Sequence, residues 1–321
     1  MYTGSDSDLA GNYPEDHDGR EEDDRVSLIT HALTKLGCKV DPLDFDLGAF
    51  EKLRRLKPDL AFNICDCGFG EDSDMEPHIP AMLDILGIRY TGSNYLALAL
   101  CLDKMRTKEI LSFRGLPTPK FHLAENASDL DHDLHYPIIV KPSREDGSIG
   151  IKADAVATDA KKLKELVSRI IKNYKQPAII EEFISGSEFT VVLLGNDDPR
   201  ALPINEFRYP KARGAFGIMT YESKWQISDV QFKKRITWTC PAMIEKGLEK
   251  RLVDLATKAY RAMGLRGYGR VDLRMDGKKP MILEVNANPD LDTDCFVFNS
   301  AKAAGMSYKE LIKRIVEFAL E

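Results

Sequence analysis

Gly269-Arg270-Val271-Asp272-Leu273-Arg274-Met275 and Met281-Ile282-Leu283-Glu284-Val285-Asn286-Ala287-Asn288 are the most informative stretches of this chain. Each alternates apolar with polar residues, the period-two pattern of a half-buried strand. Asp276-Gly277-Lys278-Lys279-Pro280 between them is turn chemistry, so the pair reads as an antiparallel hairpin. A hairpin centred on Lys278 sets Asp272 opposite Glu284 and Arg270 opposite Asn286, all on one face with Arg274 following. Two carboxylates and a carboxamide gathered there would repel one another without a cation. Hard oxygen donors of this kind suit Mg²⁺, which bridges carboxylates to substrate phosphates. A solvated face laced by cross-strand Arg–Glu pairs is the other reading of the same residues.

Composition limits the class. The 321 residues suffice for two or three domains with sizeable cores, and 43% apolar with 30% charged residues is ordinary for a soluble globular protein. A balance of 45 basic against 51 acidic residues argues against a nucleic-acid binder, so any phosphate site is local. No apolar run reaches the ~20 residues that span a bilayer, and the first residues lack signal-peptide regions. The six cysteines are scattered without zinc-type pairs, and free buried thiols in a reducing cytoplasm are expected.

Working outward, residues 1–24 read as a polar arm. Alternating helices (Arg25–Leu36, Ala49–Leu56, Met75–Leu86) and strands (Cys38–Phe45, Pro58–Ile64, Ile88–Tyr90) imply a parallel sheet. No apolar strand precedes the first helix, so that sheet is expected to lack its first strand. Helix is expected over Tyr95–Arg114, with strands at Lys120–Leu123, Pro137–Lys141, Ile149–Ala155 and Ala178–Phe183 around helix Ala160–Tyr174. Strands Glu188–Leu194 and Leu202–Phe207, a long polar loop 208–239, helix Glu245–Met263, the hairpin and helix Ser307–Leu320 follow.

Pro137-Ile138-Ile139-Val140-Lys141-Pro142 ends a buried strand in a lysine, and Ser143 to Gly150 forms a polar turn. Gly- and Ser-rich turns expose backbone N–H groups that cradle phosphates, with lysine as point charge. This is not a Walker motif, because no Gly-x-x-x-x-Gly-Lys occurs and no helix follows. Ile179 to Phe189 supplies strand, turn and strand, able to hold an adenine edge and ribose hydroxyls, or to serve as a charged connector.

In their order these segments resemble the ATP-grasp ligases, and more closely the D-alanine–D-alanine ligase family, from about residue 25 onward. The segments that carry the likeness begin with Gly70-Glu71-Asp72, Tyr90-Thr91-Gly92-Ser93, Leu102-Asp103-Lys104-Met105-Arg106-Thr107-Lys108 and Gly115-Leu116-Pro117-Thr118-Pro119. They continue with Val140-Lys141-Pro142-Ser143-Arg144-Glu145, Gly186-Ser187-Glu188-Phe189-Thr190-Val191, Gly269-Arg270-Val271-Asp272 and Leu283-Glu284-Val285-Asn286. The resemblance implies an α/β ATP-grasp fold with an N-terminal Rossmann-like, parallel-sheet domain. The domains would be 1–95, a central ATP-grasp subdomain 96–183 and a C-terminal one 184–321. It implies ATP and two Mg²⁺ (or Mn²⁺), the metals on Asp272, Glu284 and Asn286. Lys104, Lys141 and Ser148 would meet the phosphates, Glu181 and the main chain near Phe183 and Ile184 the adenine, and Glu188 the ribose, with Leu283 also binding the nucleotide. Arg270 would stabilise the oxyanion of acyl transfer, and Lys224 would close over the γ-phosphate from a mobile loop.

The implied chemistry is amide formation through an acyl phosphate. The implied partners are small amino-acid or peptide substrates, with no nucleic acid or membrane and with a homodimer as the assembly considered. A ligase with another acceptor and an ATP-binding protein without catalysis are the alternatives. Asp66, Asp290 and Cys295 stand where the family usually has a histidine, a glycine and the serine that holds the acceptor carboxylate. The N-terminal glutamate of the usual strand–loop is absent, and Trp225 replaces a tyrosine. Two acids there repel a carboxylate, so they are expected to favour a cationic acceptor.

Overall fold

The structure, a computed structural model, describes residues 1, 22–66, 68–128, 130–209, 216–221 and 237–321. The arm expected over 1–24, Cys67 and the Lys224–Trp225 segment therefore lie almost wholly outside the described residues.

Two antiparallel sheets carry the chemistry. The first consists of β1 (Phe121–Ala124), β2 (Ile138–Pro142), β3 (Val156–Ala157) and β4 (Ala178–Glu182), in the order β1-β4-β2-β3. Helix α6 (Ala160–Tyr174) covers it, placing Leu163, Leu166, Val167 and Ile170 on Ile138, Val140 and Ile180. Those four recur at helical spacing, and Asp159 caps the first turn by accepting from Lys162 N. Expected strand 149–155 is absent because local turns use its donors: Ile149, Ile151 and Ala155 N–H bond Asp146, Ser148 and Lys152 carbonyls.

The strands of the second sheet are β5 (Glu188–Leu194), β6 (Arg200–Ala201), β7 (Asn205–Arg208), β8 (Thr237–Thr239), β9 (Tyr268–Asp276) and β10 (Lys279–Asn286). They run in the order β10-β9-β5-β7-β8, with β6 beside β5. Period-two alternation divides the faces of this sheet. Phe189, Val191, Val271, Leu273 and Ile282 pack on Leu252, Ala256, Ala259 and Tyr260 of helix α7 (Lys246–Ala262). Truncating a fully buried leucine such as Leu252 to alanine in this layer costs ~2–5 kcal/mol.

On the other face, Val192, Leu194 and Tyr268 meet α1 (Glu22–Lys35), α8 (Phe296–Ala303) and α9 (Tyr308–Leu320). Helix α8 was not foreseen, because its N-cap is an unconventional one: Cys295 Sγ accepts from Phe298 N. Ser307 and Glu310 close a capping box on α9. Expected helix 95–114 divides into α4 (Tyr95–Leu102) and α5 (Lys104–Phe113), because Asp103 leaves the helix to cap Arg106 N.

The N-terminal region keeps helices α2 (Ala49–Leu56) and α3 (His78–Leu86). Its expected parallel sheet is much reduced: among the described residues a single parallel bridge, Ala61 to Tyr90, stands for strands 58–64 and 88–90. On the Tyr90 side Asn63 N–H goes to Thr91 Oγ1 and Cys65 N–H to Asn63 Oδ1, while on the other edge Met1 donates to Phe62 O and accepts from Ile64 N. No named strand covers 38–45.

Candidate active site

The hairpin face forms as its alternation requires. Asp272 pairs with Glu284 and Asn286 with Arg270. At the tip Asp276 pairs with Lys279 around Gly277-Lys278, one step out of that register, and an irregularity between Ile282 and Glu284 restores it. Without that bulge the acids of the two strands would fall on opposite faces. Asp272 is the hub: Oδ1 accepts from Thr190 Oγ1 at 2.6 Å, and Oδ2 from Arg270 Nε at 3.1 Å and Asn286 Nδ2 at 3.2 Å. Burial raises its pKa to about 6, with Glu284 adding to the shift and Arg270 opposing it. Glu284 lies 3.8 Å from Arg270 Nη2 and 3.7 Å from Lys104 Nζ.

Lysines close the opposite side. Lys104, first residue of α5, donates to Glu145 O in the turn after β2. Lys141 Nζ lies 3.2 Å from Glu181 Oε1, and Lys108 Nζ lies 3.0 Å from Oε2. Burial opposes ionisation of Glu181, yet the two lysine charges prevail and hold its carboxyl below the ordinary range. Both oxygens of Glu181 thus meet lysines. Lys108 also reaches Leu283 O at 3.3 Å.

Residues assigned to the nucleotide gather between the sheets. Arg274 lies over the rings of Phe183 and Tyr209, at 5.1 and 4.9 Å, and Phe183 meets Phe216 edge-on. Glu188 accepts from Tyr209 Oη at 2.9 Å. The Phe183 N–H already bonds Pro137 O, and Ile184 beside it is buried. Ser148 and Gly147 adopt left-handed backbone, φ 66° and 60°, the geometry that turns successive N–H groups one way. A Cβ on Gly150 would meet Pro142 Cγ at 2.5 Å, so only glycine lets this turn close on β2. Lys224 is outside the described residues.

Two of the residues that depart from the family, Asp66 and Asp290, sit together on a partner that sequence reading did not single out. Arg25 of α1 is 8% exposed and forks onto Asp66, with Nη1–Oδ2 at 2.6 Å and Nη2–Oδ1 at 3.2 Å. Asp290 Oδ1 lies 3.4 Å from the same Nη1. The negative charge thought to await a cationic acceptor therefore already faces an internal arginine. Cys295 spends its sulfur on the α8 cap, and burial pushes its thiol well above the ordinary range. Arg25, Glu76, Lys108, Tyr209 and Asn288 were all missed as site-lining residues. Only Lys108 had a usable signal, four residues from Lys104 on one helix face.

The lysine-bearing sheet, the acid-bearing hairpin and the cleft between them define an ATP-grasp protein. A D-alanine–D-alanine ligase from Bacillus anthracis, solved complexed with ATP, superposes with a TM-score of 0.73 over 92% of this chain and 90% of that one, at 23% identity. The family model described as D-ala D-ala ligase C-terminus matches residues 110–317. A D-alanine–D-alanine ligase of Desulforudis audaxviator is 35% identical over 302 residues, 91% of this chain and 92% of that protein. An uncharacterized protein of Sinorhizobium fredii is 34% identical over 300 residues, 91% and 86% of the two chains. The chain belongs to the D-alanine–D-alanine ligase family.

Proposed function

We propose that this protein is an ATP-dependent ligase joining the carboxylate of one amino acid to the amine of another, with D-alanine as the amino acid to test first. The observation that carries this reading is the shared hairpin face, where Asp272, Glu284 and Asn286 lie within reach of Lys104 and Arg270. The family relationship supplies the reaction class.

Asp272, Glu284 and Asn286 are assigned to Mg²⁺ or Mn²⁺. Their oxygens fit a hard cation, and the raised pKa of Asp272 beside Glu284 marks negative charge that such an ion would relieve. When bound, the ions neutralise triphosphate charge. Lys104 and Lys141 are assigned to ATP phosphates beside the Ser148 turn, Glu188 to the ribose, and Phe183, Ile184 and Leu283 to the adenine end. Lys224 is assigned to the γ-phosphate on the resemblance alone. Glu181, whose side chain holds Lys141 and Lys108 in place, is assigned to the adenine end as well.

A substrate carboxylate oxygen bonds the γ-phosphorus as the bond to ADP breaks, giving an acyl phosphate. The amine of the second substrate then attacks the acyl carbon, phosphate leaves, and the amine gives up a proton. Lysine charge screens the two anions of the first step. Arg270 commits Nε and Nη2 to Asp272, leaving Nη1 without a partner among the described residues and able to meet the oxyanion of the second step. The domain limits at 95 and 183, a cytoplasmic location and a homodimer belong to the same proposal.

The test is a substrate screen with ATP and Mg²⁺ across D- and L-amino acids, dipeptides and diamines, read by mass spectrometry and phosphate release. D-alanyl-D-alanine formed with matching ADP and phosphate is expected. ATP binding with no ligated product from any substrate would overturn the ligase reading.

A further inference from the structure

Glu76 is a carboxylate with no task in the account above. It follows the short turn Ser73–Met75 and is 8% exposed. It lines the same cleft as Lys104, Glu284, Asn286 and Asn288. Asn288 Nδ2 donates to its Oε1 at 3.0 Å, and Tyr268 Oη donates to Asn288 Oδ1 at 2.7 Å, which fixes the amide's orientation. Its second oxygen has no hydrogen-bond partner among the described residues. The charged groups that act on it, Asp146 and Asp66, are both acidic. Burial pushes its carboxyl well above the ordinary range, as expected for a carboxylate held out of water without a cation.

A dry carboxylate with one fixed donor and an open oxygen is complementary to an ammonium group. Its place in the cleft says which ammonium. Asn288 stands two residues beyond Asn286, at most ~7 Å of chain, and Glu76 reaches it from the other wall. A substrate carboxylate at the hairpin face therefore carries its α-ammonium, two bonds from the carboxyl carbon, toward Glu76. We propose that Glu76, oriented by Asn288, binds the α-ammonium of the amino acid whose carboxylate is activated. The assignment rests on the ligase reading.

The experiment compares the full chain with Glu76→Gln by calorimetric titration of D-alanine and of propionate, which keeps the carboxylate and lacks the amine. The wild-type chain should prefer D-alanine by at least about 10-fold, the worth of a charged hydrogen bond, and Glu76→Gln should lose most of that preference. The KM for ATP should not change. A preference that survives the substitution, or a rise in the KM for ATP alone, overturns the assignment. Glu76→Asp keeps the charge one methylene back and should retain a weakened preference, so it reads the same question if Glu76→Gln folds poorly. Amino-acid-dependent phosphate release by the wild type tests the ligase reading separately. Release that persists beside an unaltered binding ratio removes only Glu76, and no release with any amino acid removes the ligase reading, while the titration still reports on Glu76.

Discussion

Lys108 Nζ lies 3.0 Å from Glu181 Oε2, and both side chains are only 1% exposed. The same ammonium donates to Thr118 Oγ1 and to the carbonyl of Leu283, at the bulge that sets the hairpin register. One buried cation thus joins α5, the central sheet and the acid-bearing hairpin. Replacing it by methionine strands a carbonyl and a carboxylate oxygen without donors. Lys108→Met should lose about 3 kcal/mol in urea unfolding and weaken ATP binding as well. A loss under about 1 kcal/mol would mean that Lys141 alone satisfies Glu181.

Lys141, assigned to the ATP phosphates, also serves the fold: all of β2 is buried, and Lys141 pairs with Glu181 inside it. Lys141→Ala should raise the KM for ATP at least about 10-fold and also cost about 1–2 kcal/mol of stability. Normal ATP kinetics with a large stability loss would assign it to structure alone.

Glu284 and Asp272 share a face but not a burden. The Glu284 side chain is 31% exposed, with its cations at 3.7 and 3.8 Å, whereas Asp272 accepts from Thr190, Arg270 and Asn286. Glu284→Gln should abolish turnover with a melting temperature within a few degrees of wild type. Asp272→Asn should lose turnover and about 2 kcal/mol together, since its loss unpairs a buried arginine. Unchanged turnover in Glu284→Gln would remove the metal assignment.

What sequence could say follows from where each hydrogen bond goes. The hairpin was legible because period-two patterning and a Gly-Lys turn act over neighbouring residues. Its centre on Lys278 holds at the site, although the tip turns one step earlier, because the bulge at Leu283 corrects the register. Helices α2, α6 and α9 were legible from apolar spacing and capping residues. Among the described residues the parallel pairing of 58–64 with 88–90 is short because Asn63 N–H goes to the Thr91 side chain, which pattern alone does not reveal. Arg25 escaped notice because its partners Asp66 and Asp290 are 41 and 265 residues away. Such a pairing is written in the tertiary fold.

Arg25 is also the counterweight to an acidic run whose pH response can be measured. Burial raises the Asp292 carboxyl to about 7, with Asp290, Asp66 and Asp294 adding to the shift and Arg25 opposing it. A carboxyl raised in this way keeps its proton in the fold after the unfolded chain has lost it. Between its ordinary value near 3.8 and about 7 the folded state binds more protons, so stability falls as pH rises through that window. Above it the ionised group opposes folding in full. Asp292→Asn removes the titration, so the variant should match wild type near pH ~4 and exceed it in melting temperature at pH ~8. Arg25→Met should act in the opposite sense, costing about 3 kcal/mol or more at pH ~8, where Asp66 and Asp290 would face each other without a cation. Thermal melts across pH ~4–8 check both variants. A difference between wild type and Asp292→Asn that stays constant over that range would show that Asp292 does not titrate within it.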